Sequence, residues 1–183
     1  MKNGEYTRIE FLLERLVRLN QAKAWENDLN PAQMAALEYL SQANKFSRAP
    51  SHVADYLGAT RGTTSQTLKA LSNKGLVQQV RSAEDKRSVR YDVTEKALPV
   101  LGSKAPLADS IVQLDKKEAS HIASLLNNML HMTLRNNGGK TFGICKSCKH
   151  HSTQDGRPYC RLLSVGLAKF ETEQICQEHA LIS

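Results

Sequence analysis

"VADYLGATRGTTSQTLKALSNKGLV", residues 53–77, is the stretch that decides the fold. Pro50 opens a short helix, since proline is favoured in a first turn, and Gly58 closes it as the left-handed residue that follows a helix end. Thr60 is placed to cap a second helix, "RGTTSQTLKALSNKG", which Gly75 closes in the same way. Two short helices joined through Gly58-Ala59-Thr60 form a helix-turn-helix. In the second helix Leu68 and Leu71, with Thr64, share the inward face. Arg61, Thr63, Ser65, Gln66 and Lys69 are left on the outward face. Arg, Lys and Gln can read base edges, and hydroxyls can take phosphates or bases, so that face suits a DNA major groove.

From Leu76 the apolar period changes to two. "LVQQVR" and "SVRYDV" flank the charged turn "SAEDK", which predicts a β-hairpin directly after the helix pair. Between Thr60 and Arg90 stand seven cations, including Arg81, Lys86, Arg87 and Arg90, against the two acids Glu84 and Asp85. The chain as a whole carries +7, so most of its excess charge falls in one short region. A local basic face next to a groove-sized helix points to double-stranded DNA rather than to a merely solvated surface. Lys86 and Arg87 at the hairpin tip are placed to reach phosphates or the minor groove.

Upstream, residues 5–26 read as an amphipathic helix, with Ile9, Leu12, Leu13, Leu16, Val17 and Leu19 at helical spacings. Asn30-Pro31 opens "PAQMAALEYLSQA". Downstream, a helical stretch over 94–114 contains Pro99, Gly102 and Pro106, which should kink or break it. Asp115 and Glu118 form a capping box for a last helix to about Arg135, with Ile122, Leu125, Leu126, Met129 and Leu130 on one face.

These residues resemble the MarR (multiple antibiotic resistance regulator) winged-helix transcription factors. The resemblance spans about 5–135 and is strongest in "LNPAQMAALEYL", "VADYLGATRGTTSQTLKALSNKGLV" and "RSAEDKRSVRYDVTEKAL". The family's acidic–x–arginine wing motif is matched by Asp85-Lys86-Arg87, and its Leu-Thr strand end by Val93-Thr94. It implies a homodimer whose first and last helices interlock, so that two recognition helices meet successive major grooves of a pseudopalindromic operator. The stripes at 9–19 and 122–130 suit that interlock, and an intramolecular core would explain them equally well. The segment 45–49 is shorter than the family's loops. The broken helix after the wing interrupts the region where many members sense a small-molecule effector, so no effector residues carry over.

"NNGGK" (136–140) is the clearest linker, which divides the chain into a winged-helix and dimerisation domain, 1–137, and a tail, 138–183. All four cysteines lie in the tail, spaced C-x2-C-x11-C-x15-C as Cys145, Cys148, Cys160 and Cys176. A C-x2-C turn points two sulfurs at one ion, and two more ligands complete a tetrahedron. Zinc is the default ion; an iron–sulfur cluster is the alternative, although the spacing matches neither ferredoxin pattern. His150, His151 and His179 are further candidates, His179 as a substitute ligand three residues after Cys176. A metal would supply folding free energy that a short tail cannot obtain from its own core. A redox-sensing regulator that loses its metal on oxidation is a variant of the same reading.

The expected class is therefore mainly α with a small β-hairpin wing: a winged helix-turn-helix, a helical dimerisation region and a small metal-binding tail. The expected location is the cytoplasm, with no membrane span or secretory leader, which disfavours permanent disulfides. No enzyme is expected. Zinc deaminases pair a ligand with a glutamate two positions on, and no H-x-E occurs here. A protein-interaction tail tethered to a winged helix is the remaining alternative.

Overall fold

Helix boundaries fall where local chemistry places them. The computed structural model describes residues 4–81, 89–102, 106–136 and 138–181. Helix α1 spans Gly4–Ala22 and tightens into a 3-10 turn at Lys23–Asn27, a few residues before the expected helix end. Asp28 follows in the left-handed region at φ 54°, and Lys74 reaches its carboxylate at 2.6 Å. Helix α2 (Pro31–Gln42) starts on a complete capping box: Asn30 accepts from the Gln33 amide at 2.9 Å, and the Gln33 side chain accepts from the Asn30 amide at 3.3 Å.

Helices α3 (Pro50–Leu57) and α4 (Arg61–Asn73) form the helix-turn-helix. Gly58 adopts φ 60° between them, and the Thr60 hydroxyl accepts from the Thr63 amide at 3.2 Å. Strands β1 (Val77–Arg81) and β2 (Val89–Val93) pair antiparallel, Val77 opposite Val93 and Arg81 opposite Val89. The wing is therefore the expected hairpin. The stretch expected to be helical over 94–114 is interrupted: a 3-10 turn at Glu95–Ala97 leads into α5 (Leu98–Gly102), and α6 (Pro106–Ile111) begins at the next proline. Helix α7 runs Lys116–Asn136 from the Asp115/Glu118 capping box.

The core joins α2, α3, α4 and the base of the wing through Leu37, Leu40, Val53, Leu68, Leu71 and Val77. By contrast α1 and α7 bury no residue. Leu16, Leu19, Leu125 and Leu130 are 43, 54, 50 and 52% exposed, so an intramolecular core does not account for either stripe. No helix among the described residues is long and apolar enough to cross a membrane.

The tail beyond the 136–140 linker docks on the winged helix. Strand β3 (Gly143–Ile144) pairs with β7 (Ile175–Cys176), and β4 (His151–Gln154), β5 (Arg157–Cys160) and β6 (Val165–Gly166) form a second small sheet. Ile175 belongs to the winged-helix core, and Phe142 and Ile144 pack against it. The Phe142 ring meets Tyr39 and Tyr56 edge-on, with centroids 6.0 and 5.3 Å away. At the surface Lys140 pairs with Asp55 of α3 at 3.3 Å. A tail with few apolar residues of its own thus borrows the core of its neighbour.

Candidate nucleic-acid interface and cysteine cluster

Helix α4 divides by face as its sequence period requires. Thr64, Leu68 and Leu71 are buried, while Arg61, Thr63, Ser65, Gln66 and Lys69 are exposed on the opposite side. The first turn carries no acid. Arg61 occupies its first position, where the helix dipole disfavours a cation. That placement costs little if an anion approaches, because the same end offers free backbone N–H groups. Gly62 follows; a Cβ there would meet nothing closer than the Thr60 hydroxyl at 4.0 Å. Nothing among the described residues requires glycine at this helical position, and its bare backbone admits close approach from outside.

On the wing, Arg81 is exposed. Arg90 is turned partly inward by an ion pair with Asp92 at 3.4 Å. Lys86 and Arg87 lie outside the described residues. The residue that sequence reasoning missed is Arg48. Its Nε donates to the Ala43 carbonyl at 2.8 Å and its Nη1 to Asp92 at 3.0 Å, while its own carbonyl accepts from the Tyr91 amide at 3.0 Å. The wing is therefore held by the short segment between α2 and α3. The one signal available was the unusual brevity of residues 45–49.

That same segment receives the tail. The Asn44 amide donates to the Ile175 carbonyl at 2.9 Å, and the Gln177 amide donates to the Ser47 hydroxyl at 2.9 Å. Tyr39 fixes the segment from below, its hydroxyl donating to the Ser47 carbonyl at 2.6 Å. Lys45 pairs with the buried Glu171 at 3.1 Å.

All four cysteines are free; Cys145, Cys148 and Cys176 are buried and Cys160 is partly so. Burial first, then charge on Cys176, Cys160 and Cys148, pushes the Cys145 thiol up to about 11. Burial also pushes the Cys176 thiol up, while hydrogen bonds from the Asn44 side chain, the Glu178 backbone and the Ser47 side chain pull the other way. Among the described residues, no three His, Cys, Asp or Glu side chains are placed so that one ion could be held by all of them. His179, the expected substitute ligand, is hydrogen-bonded within the tail. Its two ring nitrogens lie 3.1 Å from the Thr141 and Ser147 hydroxyls, which occupies both. Its ring also packs on Gly143, where a Cβ would come within 2.5 Å. His151 is the contrasting case: its Nε2 is buried without a hydrogen-bond partner, and the residue lies opposite Cys160 across the β4–β5 ladder.

Comparison with known proteins agrees with this geometry. Residues 27–88 match the model of the MarR family, whose members are transcription regulators and not enzymes. No curated protein matches the chain. Among solved structures, a MarR transcriptional regulator from Methanosarcina mazei is similar at 23% identity and TM-score 0.58, over 73% of this chain and 99% of that one. A Staphylococcus aureus MepR–DNA complex is similar at 20% identity and TM-score 0.56, over 72% of this chain and 99% of that one. Bordetella bronchiseptica BpsR, described with regulation of its DNA binding by 6-hydroxynicotinic acid, follows at 20% and 0.53, over 69% and 98%. These likenesses establish the MarR winged-helix fold, and they leave out a share of the chain comparable with the tail.

Proposed function

We propose that this protein is a homodimeric, sequence-specific transcription regulator that binds a pseudopalindromic duplex operator in the cytoplasm. The observation that carries the reading is α4: an acid-free, polar and basic outward face on a helix anchored by Thr64, Leu68 and Leu71, with Arg61 and Gly62 at its open N-terminus. Arg61, Gln66 and Lys69 supply donors for base edges and phosphates, with Thr63 and Ser65 beside them. Arg81, Lys86, Arg87 and Arg90 supply the wing's charge. The MepR–DNA complex lends support from a protein of the same fold.

Dimerisation is supported by the two unburied stripes on α1 and α7, which a second copy would cover. A two-fold dimer places half-sites about one helical turn, roughly 10 base pairs, apart. A small-molecule effector has a candidate place in the groove of about 330 Å³ that Pro31, Ala35, Leu57 and Thr63 help to line, because that groove touches the recognition helix.

The test is selection of binding sites from a pool of random duplexes by the full chain. A pseudopalindromic consensus is expected, and Arg61→Ala or Gln66→Ala should each cost about 1–3 kcal/mol and relax specificity at one position per half-site. Wing substitutions such as Arg87→Ala should weaken all sequences alike and lower the salt slope by about one. Recovery of no consensus, or variants that bind the selected duplex as well as the parent, would sink the assignment.

A further inference from the structure

A segment joining two helices ordinarily runs over the surface, where water satisfies its backbone. Here Asn44 and Ser47, between α2 and α3, are buried, so their polar groups require partners in the protein. The tail supplies several of them. The Asn44 amide donates to the Ile175 carbonyl at 2.9 Å, Ala43 bridges Ile175 in parallel, and the Ser47 hydroxyl accepts from the Gln177 amide at 2.9 Å. The same hydroxyl donates to Asn44 Oδ1 at 2.7 Å, and that oxygen also accepts from the Phe46 amide at 3.1 Å. One network thus joins the tail strand β7 to residues 43–47. Side chains reinforce the seat: Ile175 enters the winged-helix core, and the buried Glu171 pairs with Lys45 at 3.1 Å.

The other end of the segment carries the wing. The root of β2 is fixed to the end of α4, because the Thr94 amide donates to the Leu76 carbonyl at 3.0 Å and the Thr94 hydroxyl to the Gly75 carbonyl at 2.7 Å. Further along the strand the partner is Arg48. Its carbonyl accepts from the Tyr91 amide at 3.0 Å, and its Nη1 donates to Asp92 at 3.0 Å. The recognition helix therefore holds the root of the hairpin, and Arg48 sets its inclination about that root. Arg48 is itself aimed by its Nε bond to the Ala43 carbonyl at 2.8 Å. Ala43 is also the residue that bridges Ile175, so tail and wing meet on one short stretch of backbone.

We propose that the tail is a brace for the wing. Seating of β7 on residues 43–47 fixes Arg48, and through Arg48 the angle between the wing and α4. Unseating the tail then weakens DNA binding without altering any residue of the DNA-binding face. Linkage requires the converse as well: a bound duplex must tighten the seat by the same factor. The tie from tail to wing belongs to the fold alone, and its effect on operator affinity rests on the proposed function.

The experiment follows amide hydrogen exchange in the full chain, without DNA, for the parent, Ile175→Ala, Glu171→Gln and Lys146→Ala. Ile175→Ala thins the contact that seats β7, so exchange at the Asn44 amide should speed by about tenfold or more. The Tyr91 amide should speed with it, while the Leu68 and Leu71 amides of α4 keep the parent's rates. Glu171→Gln removes the charge facing Lys45, leaves the apolar core unchanged and should speed both reporters by about threefold. Lys146→Ala breaks only an exposed pair with Glu173 inside the tail and should change neither. Faster exchange at Asn44 with Tyr91 at the parent's rate would refute the brace. Parent rates at both amides in Ile175→Ala and Glu171→Gln, or equal changes in Lys146→Ala, would refute it too. If Ile175→Ala speeds the α4 amides equally, Glu171→Gln decides the matter. On the selected duplex, Ile175→Ala should lose about fivefold or more in affinity, and the duplex should slow Asn44 exchange in the parent. Faster Tyr91 exchange at unchanged affinity would refute control of DNA binding by the tail. Failure to select any duplex would instead refute the DNA reading and leave the brace standing.

Discussion

Arg48 Nη1 donates to Asp92 Oδ1 at 3.0 Å across 44 residues of sequence, with the two side chains only 19% and 22% exposed. Through this pair the α2–α3 segment is tied to the wing. Arg48→Ala removes the partner of the Ala43 carbonyl as well, and leaves Asp92 with Arg90 alone. The loss should be about 2 kcal/mol, read as a lower urea midpoint at unchanged slope. In a double-mutant cycle with Asp92→Ala, the coupling should reach about 1 kcal/mol. Additive single effects would show that the contact does not hold the wing.

Gly62 separates folding from binding. It is exposed in the first turn of α4, and nothing among the described residues crowds a Cβ there. Gly62→Ala should therefore raise stability, by about 0.5–1 kcal/mol, because alanine loses less backbone entropy in a helix. If the bare backbone serves the approach of a phosphate, the same variant should bind the selected duplex more weakly. A variant more stable and equally tight on DNA would remove that role from Gly62.

The helix-turn-helix and the wing were legible because each rests on local chemistry: Pro50, Thr60, Gly58 and Gly75 punctuate, and the apolar period switches from helical to alternating at Leu76. Thr64, Leu68 and Leu71 fall on the buried face for the same reason. The docking of the tail was not legible. It depends on Ile175 pairing with Ala43, more than 130 residues earlier, and no local period encodes such a contact. The spacing of His179 after Cys176 likewise carries no signal for the Thr141 and Ser147 hydroxyls that lie 3.1 Å from its ring nitrogens. The short 45–49 segment lies against the tail: the Asn44 amide just before it donates to the Ile175 carbonyl of β7, and its Ser47 hydroxyl accepts from the Gln177 amide.

Acid should loosen the seam between tail and α3. His52, in the first turn of α3, has its pKa lowered from 6.5 by burial first and by Lys140 second, opposed by Asp55 and Glu178. Its Nδ1 is buried with no partner among the described residues. The folded state then binds fewer protons than the unfolded state below pH 6.5, so this contribution to stability is present above 6.5 and lost as pH falls through the folded pKa. Urea unfolding followed over about pH 5 to 8 should give a steeper decline on the acid side for the parent than for His52→Gln. Superimposable profiles would assign the acid sensitivity elsewhere.

The proposed dimer can be tested by separating the effect of a core substitution from that of an interface substitution. Leu16 on α1 and Leu126 on α7 are 43% and 44% exposed in the single chain. A charged substitution at an intramolecular core position would unfold the domain, whereas at an interface it should only part the copies. Leu126→Glu should therefore shift the sedimentation coefficient from dimer to monomer while the buried centre around Leu68 and Leu71 stays folded. The cost of placing a carboxylate in an apolar contact is several kcal/mol, enough to abolish a micromolar dimer, whose formation free energy is about 8 kcal/mol, at ordinary concentrations. Duplex affinity should then fall steeply, because the second half-site is no longer tethered to the first. A monomer that keeps the parent's affinity would separate the DNA-binding face from the dimer, and a parent chain that sediments as a monomer would end the two-fold reading of the operator.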